Sequence, residues 1–183
     1  MATRTRKKGP TWHDVKVRLA EFDRSALVGL VQDMYAFSKD NQSFLHARFG
    51  IGADALAPYK ATIARWLSPD VYKNQQISVA LAKRAVADYR KASGGPEGLA
   101  ELMVFYCECA TRFSVEYGMD DQAYLGSLVR MFAQVLELSS TLAAESREAI
   151  FDRLDDVRRD AEELGYGVGD IMNELLDRAD PSE

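Results

Sequence analysis

Helical periodicity runs along almost the whole chain and limits the fold more than any other feature. Apolar side chains recur every three to four residues, whereas the strict alternation that marks a strand is nowhere convincing. The strongest interruption is Gly94-Gly95-Pro96, where glycine and proline end one helix and can open the next. The sequence therefore predicts an all-α fold of about nine antiparallel helices joined by short connections.

Cap residues and helix breakers give approximate bounds for these helices. Thr11 and Asp23 are suited to cap the first and second helices, and Pro96 and Gly118 bound the sixth. Asp120 is expected to cap the seventh helix. The remaining helices are predicted at about 40–49, 54–67, 77–92, 144–164 and 170–179.

The apolar residues form stripes on most of the predicted helices and surround one of them. The stripe of the first helix consists of Trp12, Val15, Leu19 and Phe22, and that of the second consists of Leu27, Leu30, Val31, Met34 and Phe37. The run Leu102–Cys107 on the sixth helix is apolar on all sides. This run predicts a central helix that other helices surround.

The length of the chain fits a single domain. A domain of 183 residues buries about 70% of the surface of its unfolded chain. We expect a disordered basic arm at residues 1–10 and one helical domain at residues 11–183, with a subdivision possible near residues 94–96. Successive helix pairs could stack with a solenoid-like twist, as in HEAT or TPR proteins, although no repeated residue pattern identifies such a family.

Composition excludes a membrane-spanning segment and a secretory signal. The chain is 47% hydrophobic and 28% charged, with no apolar run near the roughly 20 residues that cross a bilayer. No apolar stretch follows the basic N-terminus, so a cytoplasmic location and no membrane partner are expected. Cys107 and Cys109 point to nearly opposite sides of a helix, which predicts buried reduced thiols and no disulfide between them.

Charge is distributed unevenly along the chain. Residues 1–10 carry four cations and no acids, whereas residues 145–183 carry 13 acids and 5 cations. A short basic arm on an acidic body argues against general coating of nucleic acid, which needs a broad cationic face. Local contacts to nucleic acid remain an alternative, and the candidate residues are Arg4, Arg6, Lys7, Lys8, Lys83, Arg84, Arg90 and Lys91.

Sequence motifs for metal, cofactor or catalytic chemistry are missing. The two histidines have Pro10 and Ser43 three residues before them, so neither belongs to the Glu-x-x-His motif of a helical metal centre. No metal site and no cofactor are therefore predicted. The glycines of the segment Gly165–Asp170 follow a helix and precede an acid, which favours a helix end and a cap over a nucleotide loop.

A cluster of polar and aromatic residues on the third helix is the best candidate for a site. Asn41, Gln42, His46 and Arg48 lie within three helical turns, beside large apolar side chains. Long polar side chains in such surroundings are commonly half-buried and held by hydrogen bonds. The segment can be interpreted as a ligand site or as a structural clasp.

Glu108 is the expected second half of this cluster. It directly follows the most apolar run of the chain, and a carboxylate on a central helix is costly unless it is paired. Its candidate partners are Arg112, Arg48 and His46, with the third helix packed on the sixth. No nucleophile or second catalytic carboxylate accompanies it, so a structural ion pair is favoured over catalysis.

The eighth helix carries acids interleaved with arginines. The acids are Asp152, Asp155, Asp156 and Asp160, and the arginines are Arg153, Arg158 and Arg159. Opposite charges three or four residues apart predict a solvated face held by salt bridges.

Several segments together resemble a family of small bacterial all-helical proteins of unknown function. They are Asn41–Phe49, Ala82–Lys91, Glu101–Glu108, Glu116–Gly118 and Gly165–Asp170. The resemblance covers nearly the whole chain and implies a bacterial, cytoplasmic, helical protein. It implies no activity, ligand or catalytic residue.

The sequence thus favours a non-enzymatic helical module that binds a protein partner or acts as a scaffold. Two alternatives remain open. One is a nucleic-acid-associated protein that uses the basic arm and the helix at 77–92. The other is a small-ligand sensor or enzyme with a polar site at His46, Arg48 and Glu108.

Overall fold

The computed structural model describes residues 9–179, so the predicted arm residues Arg4, Arg6, Lys7 and Lys8 lie outside the described part. The chain divides into two compact units, the first ending at Gln42 and the second beginning at Ser43. The single domain at 11–183 and its subdivision near 94–96 stay predictions.

Within residues 9–179 the only regular elements are helices, so the predicted all-α fold is confirmed. Nine α-helices lie in this range, with one 3₁₀ turn at Val71–Lys73. They are α1 (Trp12–Leu19), α2 (Arg24–Phe37), α3 (Lys39–Phe49), α4 (Ala57–Leu67), α5 (Val79–Ala92), α6 (Pro96–Tyr117), α7 (Gln122–Ser139), α8 (Ala144–Asp160) and α9 (Val168–Ala179). None of them is long and apolar enough to cross a membrane.

The first unit contains α1 and α2, which begin at well-defined caps. The Thr11 hydroxyl and backbone N–H both bond the Asp14 carboxylate, at 2.8 and 2.7 Å, and the Asp23 carboxylate accepts from the Ala26 N–H. Neither helix contains a buried residue. Local capping therefore starts these helices, but burial does not stabilise them.

The second unit is built around α6, as the apolar run Leu102–Cys107 predicts. All residues of this run are buried except Phe105, which is half-buried. α6 packs against α4, α5, α7 and α8, while α9 packs on α7 and α8. The predicted inward residues of α5, α7 and α8 contribute to the same core, among them Val86, Leu128 and Leu154.

Two buried polar contacts join the helices of this core. The hydroxyls of Tyr106 on α6 and Ser127 on α7 lie 2.6 Å apart. The Tyr124 hydroxyl donates to the Leu67 carbonyl at the end of α4, at 2.8 Å. These bonds satisfy hydroxyl groups that would otherwise be costly to bury.

Five predicted helix ends need correction. α4 begins at Ala57 and not near residue 54, and α5 begins at Val79 and not near residue 77. The cap of α7 is Asp121 and not Asp120, because the Asp121 carboxylate accepts from the Tyr124 N–H at 2.7 Å. α8 ends at Asp160 and continues as a turn, rather than running to residue 164. Asp170 lies in the first turn of α9 and does not precede it, since α9 begins at Val168.

Candidate functional site

Three helices of the second unit meet in a network of four charged side chains. Glu101 on α6 accepts from Lys60 Nζ on α4 at 2.6 Å and from Arg153 Nη1 on α8. Arg153 also donates from Nε to Glu108 Oε1 at 2.7 Å. All four side chains are half-buried, with 28–32% of their surface exposed.

Two members of this network, Glu101 and Arg153, are held in their ionised forms by their partners. Burial raises the pKa of Glu101, but the hydrogen bonds from Arg153 and Lys60 outweigh it and bring this pKa below its ordinary value. Burial likewise lowers the pKa of Arg153, and the bonds to Glu108 and Glu101 outweigh it, so the net shift is upward. Both carboxylates are paired with cations, so the network ties α4 and α8 to α6.

The hydrogen-bonded partner of Glu108 is therefore Arg153, in place of the predicted Arg112, Arg48 or His46. The reason is that α8 packs along α6 and brings Arg153 to this face. The charge spacing on the eighth helix predicts a solvated Arg153, whereas its side chain is half-buried. The position of Arg153 in the sequence indicates this burial, because it lies three residues after buried Ile150 and four before buried Val157, on the same face of α8.

Asn41 and Gln42, two other members of the predicted cluster, bond to backbone carbonyls of α2. Asn41 Nδ2 donates to the Met34 carbonyl at 2.7 Å, and Gln42 Nε2 donates to the Tyr35 carbonyl at 3.0 Å. These carbonyls belong to the last turn of α2, where no N–H within the helix can reach them. The two amides therefore close the C-terminal end of α2.

Arg48 and His46 lie at the end of α3, and Arg48 bonds to another helix. Arg48 Nη2 donates to the Lys91 carbonyl at the end of α5, at 2.6 Å. His46 is half-buried, and its carbonyl accepts from the Ile51 N–H where the chain leaves the helix. Arg112 is exposed on α6 and contacts the thiol of Cys109.

The positive charges of the predicted nucleic-acid-binding residues on α5 are partly neutralised by an aspartate. Arg84 and Lys91 both pair with Asp88, at 3.5 and 3.3 Å. Lys83 is half-buried, and burial together with the nearby Arg130 lowers its pKa. Arg90 is exposed. These residues form no broad cationic face of the kind that follows a phosphate backbone.

An acidic cleft of about 560 Å³ lies between the end of α6 and the turn after α8. Asp120, Asp160, Glu162 and Glu163 line it, together with Arg159. Arg159 pairs with Asp155 on α8, which confirms the predicted salt bridges on that helix. Across residues 9–179, no group of histidine, cysteine, aspartate or glutamate side chains is arranged to hold a metal ion.

The segment Gly165–Asp170 forms the turn before α9 and the first turn of that helix, so Gly165 does not end α8 and Asp170 is not the cap of α9. Tyr166 and Gly167 adopt left-handed backbone conformations there. Gly169 is packed so closely that a Cβ would lie 2.9 Å from the Cα of Glu162. The glycines therefore allow the turn and the close approach of the backbone, and need no phosphate to explain them.

The apolar surface of α1 and α2 is the most unusual feature of the described chain. Seven residues of the two predicted stripes are exposed, and so are Val28 and Tyr35 on α2. The seven are Trp12, Val15, Phe22, Leu27, Val31, Met34 and Phe37. Trp12 and Phe37 expose 69% and 89% of their surface. Helix faces as apolar as these are normally covered by other helices, so this surface is the strongest candidate for a functional site.

No family model, curated protein or solved structure matches the chain in comparisons with all three.

Proposed function

We propose that the protein functions by binding another protein molecule through the apolar stripes of α1 and α2. The observation that supports this role is that neither helix has a buried residue, although both carry a continuous apolar stripe. Helices of 8 and 14 residues are marginal in water without a packed face, since isolated helices need about 12–15 residues even with favourable sequences. A bound partner would supply the missing packing.

The alternatives receive less support from the geometry. A catalytic or sensing site at His46, Arg48 and Glu108 would need these side chains to share contacts, and the hydrogen bonds of Arg48 and Glu108 go to Lys91 and Arg153. A nucleic-acid role would need unpaired cations, and Arg84 and Lys91 are paired. The likeness to a family of small bacterial helical proteins, and a cytoplasmic location, remain predictions.

A capture experiment with two variants of opposite design tests the proposed function. The purified chain serves as bait in lysate, and bound proteins are identified by mass spectrometry and then purified for a direct binding measurement. Leu27→Glu with Met34→Glu places two charges on the apolar stripe of α2. Ser25→Glu with Ala36→Glu places the same two charges on the other side of that helix.

We expect the stripe variant to bind the captured protein at least tenfold more weakly, because carboxylates would be buried without partners. The control variant should bind like the wild type. If the two variants bind equally well, the apolar stripe of α2 is not the binding surface and the proposal is wrong.

A further inference from the structure

We infer that the partner of α2 is a second copy of this chain, and that the two α2 helices pack against each other in antiparallel orientation about a twofold axis near Val31. The inference rests on the proposed function, because it names the partner of the same surface. Width, charge, spacing and area of the apolar face support it.

The apolar face of α2 is too wide for a helix at the surface of a monomer. Its seven large apolar residues span about half of the helix circumference when placed at 100° per residue. They are Leu27, Val28, Leu30, Val31, Met34, Tyr35 and Phe37. All of them are at least partly accessible, and none is buried. A helix with such a face is normally covered by other helices.

The low charge of α2 favours a copy of itself over a different partner. Its only charged residues are Arg24 at its first position and Asp33 on the side away from the stripe. Ser25, Gln32 and Ala36, which lie beside or behind the face, are uncharged. A partner chosen by charge needs a rim of one sign, whereas permanent homodimer interfaces are more apolar and poor in charge. Antiparallel packing also keeps the two Arg24 side chains at opposite ends.

The spacing of the central residues suits pairing of two identical helices. Leu27, Leu30, Met34 and Phe37 follow one another at intervals of three, four and three residues. This is the spacing by which side chains of one helix fit between those of a partner helix. A twofold axis near the middle of the face lets each copy offer the same residues to the other.

The exposed apolar area is sufficient for a stable dimer. Taken together, the exposed apolar residues of α1, of the turn after it and of α2 present on the order of 1,000 Å² of surface, compared with about 800 Å² per partner in a standard interface. The stripe of α1 would extend the interface beyond α2.

Molar mass in solution tests this inference directly. Light scattering after size-exclusion chromatography should give twice the mass of one chain, with dissociation on dilution through the micromolar range or below. Met34→Glu should give monomers over the same concentrations, and Ala36→Glu should remain a dimer. Far-UV circular dichroism and denaturant unfolding show whether each variant retains a folded second unit.

Cysteine cross-linking tests the position of the axis. Val31→Cys should form an intermolecular disulfide quickly under mild oxidation, because the two copies of residue 31 lie close together. Ala36→Cys, on the other side of the helix, should not. The native Cys107 and Cys109 are buried and should not interfere.

A wild-type chain that is monomeric at about 100 µM would overturn the inference. So would a dimer that persists in the Met34→Glu variant, or one that Val31→Cys fails to cross-link. The capture experiment tests the proposed function separately. Even if the chain is monomeric, it can bind a different protein through the apolar stripe of α2, and the Leu27→Glu, Met34→Glu variant would then bind that protein more weakly.

Discussion

The ring of Tyr89 on α5 occupies the space beside Gly98 on α6. A Cβ built on Gly98 would overlap the Tyr89 hydroxyl and lie 2.8 Å from its Cζ. Tyr89 is buried, and its ring meets that of Tyr59 on α4 edge to face, with centroids 5.3 Å apart. Because the ring is enclosed, it cannot move aside without disturbing the packing of three helices.

We therefore expect Gly98→Ala to destabilise the protein by about 1–3 kcal/mol, as overpacking of a core does. The sign of this change in stability is informative, because alanine forms helices better than glycine by about 1 kcal/mol and would otherwise stabilise α6. Denaturant unfolding followed by circular dichroism measures the change. The matched control is Gly29→Ala on α2, where no atom lies within 4 Å of the new Cβ; it should be neutral or stabilising. Equal effects at both positions would contradict the packing described here.

The hydrogen bond between Tyr106 and Ser127 should be coupled energetically. Both residues are fully buried and their hydroxyls are 2.6 Å apart. Tyr106→Phe and Ser127→Ala should each lower the free energy of unfolding by about 1–2 kcal/mol, because each leaves the other residue's buried hydroxyl without a hydrogen-bond partner. The double variant should lose less than the sum, by at least about 0.5 kcal/mol. Additive losses would mean that the two hydroxyls do not bond.

Acid should weaken the contribution of Glu101 to stability. Its pKa in the folded protein lies below the ordinary value of 4.5 because of Arg153 and Lys60. The stabilisation is therefore complete above about pH 4.5 and is lost as the pH falls through the lower folded pKa. Glu101→Gln should cost about 1–2 kcal/mol at pH 7. The difference from the wild type should shrink towards pH 3, as urea unfolding at several pH values can measure. A difference independent of pH would contradict the ion pairs of Glu101.

Arg153 on α8 should contribute more to stability than Arg112 on α6. Arg153→Met removes the partner of Glu108 and one partner of Glu101, so we expect a loss of about 2–3 kcal/mol at pH 7. Arg112→Met alters an exposed side chain and should cost less than about 1 kcal/mol. Thermal unfolding of the two variants compares them directly. If Arg112→Met were the more damaging, Arg112 would be the main partner of Glu108 after all.

The two cysteines should be unreactive in the folded protein. Burial raises the pKa of Cys107 far above its usual range and that of Cys109 to about 11, so little thiolate is present near neutral pH. An aromatic disulfide reagent should label neither thiol within minutes and both after denaturation. Rapid labelling of one equivalent in the native state would show that a thiol is accessible.

Local signals in the sequence predict most of the fold because they act over a few residues. Pro96 and Gly118 bound α6 as expected: Pro96 needs no N–H partner at the start of the helix, and Gly118 adopts the left-handed conformation, with φ of 64°, at its end. Asp120 and Asp121 show the limit of such signals. Either aspartate could cap α7, and only the path of the backbone decides that Asp121 does.

Contacts between distant segments could not be predicted in the same way. Glu108 had a cation one turn away at Arg112, but its partner, Arg153, comes from a helix 45 residues further along the chain. The stripes of α1 and α2 illustrate a second limit. Periodicity shows that Leu27 and Met34 share a face, but it cannot show what covers that face, and in this structure both remain exposed.

The shared guanidinium of Arg153 also fixes how α8 lies along α6. Glu101 and Glu108 are seven residues apart, so their backbones are separated by about 10.5 Å along the helix axis. One guanidinium bonds both carboxylates, through different nitrogens. A slide of α8 by one helical turn, about 5.4 Å, would break at least one of these bonds and strand a half-buried carboxylate. The ion pairs thus favour a single register of α8 along α6.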